Sequence, residues 1–195
     1  MNFLVITLLF CNVAVIFTTT TSWTIPNVND FTVGIYSPSK PGKYPVLIFV
    51  TGFRARVPVA SYSDLLTKIA EEDVIVIGVG SIVNTTQSYV EERFTEFVTD
   101  IADPVNGAKK LFKDNPMTKN VVPDLGDALG FLCHSAGCQT TTGYLTKRCG
   151  TPNAEVKLSI MISPVDGTNP FGLPFGLGMF LSVCRRHSAT EYPSF

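Results

Sequence analysis

The chain has 195 residues, of which 45% are apolar and 16% charged, with a net charge of −1. That length suits one domain with a sizeable core, since domains of roughly 100 to 200 residues are usual. The charge balance excludes the basic footprint of a nucleic-acid binder and the acidic composition of a disordered tail, so the expected partner is uncharged or weakly charged.

Residues 1–22, MNFLVITLLFCNVAVIFTTTTS, read as a targeting segment and not as part of the fold. An apolar run from Phe3 to Phe17 is followed by small polar residues, the layout of a secretory signal peptide with cleavage near Thr21 or Ser22. The n-region ahead of the run holds no Lys or Arg, which leaves an N-terminal membrane anchor as the alternative, but about 15 apolar residues are short for a span of roughly 20. The expectation is a secreted protein whose domain occupies residues 23–195.

Export changes how the cysteines are read. If Cys11 leaves with the signal, Cys133, Cys138, Cys149 and Cys184 remain, an even set in an oxidising compartment. In a helix over 136–148, Cys138 and Cys149 would sit about 16 Å apart at roughly 1.5 Å per residue, too far to bridge, so Cys149 with Cys184 is the expected pair. The spacings match no zinc pattern, and His134 and His187 are too scattered for a metal site, so neither metal nor cofactor is expected. The Asn84-Thr85-Thr86 sequon suits a surface loop of a secreted protein.

In chain order, FTVGIY (31–36) alternates as a strand does, and PVLIFV (45–50) is a continuous β-branched and aromatic run expected to be a buried strand. SYSDLLTKIAEED (61–73) places Leu65, Leu66, Ile69 and Ala70 on one helical face, and VIVIGVG (74–80) is another buried strand. Residues 88–113 carry two helical patterns broken at Asp103-Pro104. A polar loop then leads to a strand at LGFLC (129–133), followed by a Thr-rich helix ending near Cys149-Gly150 and a further buried strand at VKLSIMIS (156–163). Strands alternating with helices predict an α/β fold with a mostly parallel sheet and helices on both faces.

The chemistry concentrates where strands end, the place open α/β sheets put their ligands. In FLCHSAGCQTTTGYL (131–145), Cys133 and Gly137 bracket Ser135 where a side chain would collide in a sharp strand-to-helix elbow, the turn that presents a serine hydroxyl to a base. The bland reading is an ordinary Ser-Ala-Gly helix start. FVTGF (49–53) adds a loop after an earlier strand, where Gly52 would let the backbone turn and leave the Phe53 N–H to pair with the Ala136 N–H around a developing oxyanion.

Together FTVGIYSPSKPGKYPVLIFVTGF, YSDLLTKIAEEDVIVIGVG, VVPDLGDALGFLCHSAGCQT and SPVDGTNPFG resemble the chlorophyllase-like branch of the α/β-hydrolases, close to the platelet-activating-factor-acetylhydrolase-like and dienelactone-hydrolase-like esterases. The resemblance covers roughly residues 30–172. It implies a three-layer α/β-hydrolase sandwich and a secreted serine carboxylic-ester hydrolase, with Ser135 as nucleophile and Phe53 and Ala136 as oxyanion-hole donors. The implied substrate is a small-molecule or lipid-like ester, with transient contact to a lipid surface and no nucleic acid.

Members of that branch carry His-Gly-Phe after the first buried strand, Gly-His-Ser-x-Gly at the elbow and Asp-Pro-Val-x-Gly after the next strand. Here Thr51 stands for the histidine, Cys133 for the first glycine and Ser163 for the triad aspartate. Asp166 is the remaining candidate acid, its other reading being a turn residue in Asp-Gly. The family's base lies many tens of residues beyond the aspartate motif, where this chain has no matching residue, so the domain is expected to be incomplete at its C-terminus. His187 is the remaining candidate base, while His134 should point away from the hydroxyl. A catalytically inactive relative binding an apolar ligand under Phe53, Phe171 and Phe175, and a secreted interaction protein, are the alternative readings.

Overall fold

A computed structural model describes residues 19–102, 111–112, 120–148 and 156–164. The strands β1 (Thr20–Val28), β2 (Phe31–Pro38), β3 (Gly42–Val50), β4 (Ile75–Gly80), β5 (Val121–His134) and β6 (Val156–Ile162) form one sheet in the order β1-β2-β4-β3-β5-β6. β3 runs parallel to β4 and β5, and β5 parallel to β6, while β2 is antiparallel to both β1 and β4. The parallel centre matches the sequence expectation, and the two N-terminal strands make the sheet mixed.

All of β4 is buried, as is β3 from Val46 to Val50, because helices cover both faces of these central strands. Alternation along the strands divides the core. Val46, Ile48, Val50, Phe131 and Cys133 face one side with the helices α2 (Gln87–Ala102) and α3 (Gly137–Arg148). Leu47, Phe49, Val76 and Leu132 face the other side, under Leu66 and Ala70 of α1 (Ser63–Ala70). Leu66 and Ala70 lie four apart and so share one stripe of that helix, whereas Leu65, expected on the same face, is exposed. Phe94, Phe131 and Tyr144 meet ring to ring, with centroids 5.4 to 5.8 Å apart, fastening α2 and α3 to β5.

The composition of α3 makes it a weak helix, and its setting keeps it helical. Cys138, Thr140, Thr141 and Tyr144 are buried against the sheet and α2, and the Thr141 and Thr146 hydroxyls donate to the carbonyls of Gly137 and Thr142 one turn back.

Three elements differ from expectation. β1 takes in the last three residues of the expected leader: Thr20, Thr21 and Ser22 pair with Pro38, Ser37 and Tyr36, and the expected cleavage point falls inside the strand. β5 starts at Val121 and not at Leu129, because the Pro- and Asp-containing stretch read as a loop pairs with Gly42–Pro45 before a break in register between Pro45 and Val46. VKLSIMIS was read as a buried strand, yet Leu158 and Ile160 of β6 are 52% and 42% exposed. An apolar run specifies a strand but not whether that strand is central or at an edge. Among the described residues no helix is long and apolar enough to cross a membrane.

Phe131 is fully buried at the centre of the three-ring contact. Its replacement by Ala is expected to cost about 3–5 kcal/mol, measured as a lower urea midpoint at unchanged slope.

Candidate active site

β5 ends at His134 and α3 starts at Gly137, so the chain must reverse within two residues. It does so with Ser135 at φ 52°, the left-handed region that costs a non-glycine residue about 1–3 kcal/mol. Hydrogen bonds offset that strain: the Ser135 N–H donates to the Ile162 carbonyl of β6 at 3.0 Å, and the Cys138 N–H donates to the Ser135 carbonyl at 3.1 Å. Gly137 is needed for space, since a Cβ there would lie 2.3 Å from the Thr51 carbonyl oxygen and 2.8 Å from that of Val50. The start of α3 therefore rests directly on the end of β3, which brings the elbow beside the loop anticipated as its partner.

Beneath the serine, Cys133 and Cys138 form a disulfide, with Cα atoms 4.9 Å apart and both side chains buried. Cys133 stands where the sequence suggests only a small-residue substitute for glycine, but two cysteines five positions apart across a strand-to-helix turn carry the signal for this pair. The expected Cys149–Cys184 pair lies outside the described residues.

The loop after β3 is pinned at several of its polar atoms. Thr51, standing where the family has histidine, is fully buried, and its hydroxyl donates to the Val57 carbonyl at 2.7 Å. The Ala55 N–H donates to the Thr51 carbonyl and the Val57 N–H to that of Gly52, at 3.1 and 3.3 Å. The sharp turn was expected at Gly52, but the left-handed angles fall on Phe53, Arg54 and Ala55, at φ 53°, 52° and 60°. Gly52 serves close approach instead: a Cβ there would sit 3.0 Å from both His134 Nδ1 and Tyr62 Oη. Arg54 ties the loop outward, donating through Nε to Gln139 Oε1 of α3 at 3.2 Å and through Nη1 to the Thr85 carbonyl at 3.3 Å.

Among the described residues, neither the Phe53 N–H nor the Ala136 N–H is taken by another protein group. The Phe53 ring is 51% exposed at the rim, with the Arg56 guanidinium 5.8 Å from its centroid. His134 turns to Tyr62, whose Oη lies 2.8 Å from Nδ1, in keeping with a residue facing away from the serine hydroxyl. Ser163 follows Ile162, which is in register with His134, and so stands exposed at the strand end next to the elbow. Asp166, His187, Phe171 and Phe175 lie outside the described residues. Among the described residues no cluster of His, Cys, Asp and Glu could hold a metal ion. A left-handed serine at a strand-to-helix elbow, with the next N–H and that of Phe53 both free of partners among the described residues, has the backbone layout that acyl transfer uses.

A family model described as chlorophyllase matches residues 12–172. Among solved structures, the Francisella virulence factor BioJ superposes with a TM-score of 0.53 at 13% identity, over 76% of this chain and 45% of its own. Carboxyl esterase 2 from the mycorrhizal fungus Tuber melanosporum superposes with a TM-score of 0.55 at 19% identity, over 75% of this chain and 46% of its own. At these identities the likeness is one of fold, and the chain spans under half the length of either structure. No curated protein matches the chain.

Gly137→Ala is expected to lower both the thermal midpoint and the yield of folded protein, because the new methyl meets backbone and not a side chain that could move. Peptide mapping without reduction should recover residues 133 and 138 in one cross-linked fragment. Replacing both cysteines by Ala should cost about 2 kcal/mol for so short a closed loop, read by chemical denaturation.

Proposed function

The chain belongs to the chlorophyllase family, and on that premise we propose that it is a secreted serine carboxylic-ester hydrolase acting on an uncharged or lipid-like ester. In this reading the Ser135 Oγ attacks the ester carbonyl carbon, and the oxygen of that carbonyl takes negative charge between the N–H groups of Phe53 and Ala136. Collapse expels the alcohol and leaves an acyl-serine, which water then hydrolyses to the free acid. None of these steps calls for a cofactor. Asp166 and His187 are the proposed acid and base, the latter accepting the serine proton and returning it to the leaving alcohol. The half-exposed Phe53 ring supports an apolar acyl or alcohol group, and transient contact with a lipid surface, at the mouth of the site.

The observation that carries the proposal is the left-handed Ser135, held by the Ile162 carbonyl and by the seat of Gly137 on Thr51. An ordinary helix start has no use for such strain. Ser163 in place of the triad aspartate favours a second reading, a relative with the same pocket that binds an apolar ester without turning it over.

A fluorophosphonate probe is expected to label the protein at Ser135 and to leave Ser135→Ala unlabelled, and hydrolysis of 4-nitrophenyl butyrate should fall in that variant by at least about a thousandfold. Equal labelling of the two proteins would sink the nucleophile assignment. No labelling of either, with lipid binding retained, would favour the second reading.

A further inference from the structure

We infer that Tyr62 is a positioning residue that sets the spacing between the two halves of the oxyanion site, an inference that rests on the ester-hydrolase reading. Its phenolic oxygen accepts the Gly52 N–H at 3.2 Å and lies 2.8 Å from His134 Nδ1. Gly52 immediately precedes the donor Phe53, and His134 immediately precedes the nucleophile Ser135. One oxygen atom therefore fixes the residue before each of the two groups whose separation the chemistry depends on.

A phenol has one proton and can accept through its oxygen while it donates. We take the Tyr62 hydroxyl to accept the Gly52 N–H and to donate to His134 Nδ1, which places the imidazole proton on Nε2. Packing holds the ring that carries the hydroxyl. Tyr62 closes the short 3₁₀ turn Val59–Tyr62, and its ring meets Phe49 of β3 edge-on at 4.8 Å and His134 at 5.5 Å. There is no slack at Gly52, where an added Cβ would touch both Nδ1 and Oη at 3.0 Å.

Removing the phenolic oxygen leaves the Gly52 N–H and His134 Nδ1 without their shared partner and releases the loop from the elbow. Misaligned donors weaken the hold on an oxygen that is charged only in the transition state, so the loss belongs in kcat and not in KM. Tyr62→Phe is expected to lower kcat on 4-nitrophenyl butyrate by about tenfold or more, with KM within about twofold. His134→Leu should do the same, and the Tyr62→Phe/His134→Leu pair should be little worse than either single change, because both remove one bridge. His134→Asn, whose Oδ1 can stand where Nδ1 stood, should restore most of the rate, which a purely packing role for the imidazole would not predict.

The bridge has a readout apart from turnover. With 15N-labelled histidine and the His187 signals assigned from His187→Gln, His134 should show an unprotonated Nδ1 in the wild type, a pattern lost in Tyr62→Phe. Protonated Nδ1 in the wild type would overturn the donation from Tyr62 to His134 on which the bridge is drawn. A probe-labelled, folded enzyme whose kcat is unchanged by Tyr62→Phe, or whose loss is entirely in KM, would overturn the positioning role alone. A wild type that the probe leaves untouched would overturn the ester-hydrolase reading and this role with it.

Discussion

A methyl group on residue 137 would lie 2.3 Å from the Thr51 carbonyl oxygen, so helix α3 can start where it does only because glycine stands there. The consequences propagate in both directions from that contact. Toward β5, the chain must turn within Ser135 and Ala136, which puts the serine in the left-handed region. Toward β3, the loop after Val50 must pass beside the elbow with its carbonyls turned to the Ala55 and Val57 N–H groups, and the Phe53 N–H has no partner among the described residues.

Two of the chain's departures from its family's pattern carry structural work of their own. Thr51 lacks the imidazole found there in relatives, but its hydroxyl closes the loop onto the Val57 carbonyl. Cys133 replaces a glycine at the elbow and uses the added side chain to bond Cys138 under the serine. Ser163 is different in kind: it occupies the strand end beside the elbow with a side chain that cannot carry the negative charge of the aspartate it replaces. The elbow is thus braced from below by a covalent bond and from the side by the Tyr62–His134 contact, while the electrostatic part of the machinery is where the chain diverges.

Much of this was legible in the amino-acid order, and the misses share a cause. PVLIFV and VIVIGVG are apolar over their whole length because both faces are covered, and that pattern announces a central strand. The sharp turns after β3 and β5 were legible because small residues cluster where a backbone must turn. β1 was missed because TTTTS closes a plausible leader, and local composition says nothing of the pairing with Tyr36–Pro38 that makes it a strand. The first half of β5 was hidden by its own proline and aspartates, which mark turns unless a neighbouring strand supplies the partners. The disulfide and Tyr62 depend on distances across the fold: Tyr62 lies 72 positions from His134, and nothing in SYSDLL distinguishes it from any tyrosine near a helix start.

The buried bond under the serine also makes the elbow a clock. Cys133 and Cys138 are sealed between β5 and α3, so a small thiol reagent can reach them only when the helix lifts from the sheet. The rate of reduction in native buffer would then measure how often the seat of Ser135 opens, a motion invisible to any assay of overall unfolding.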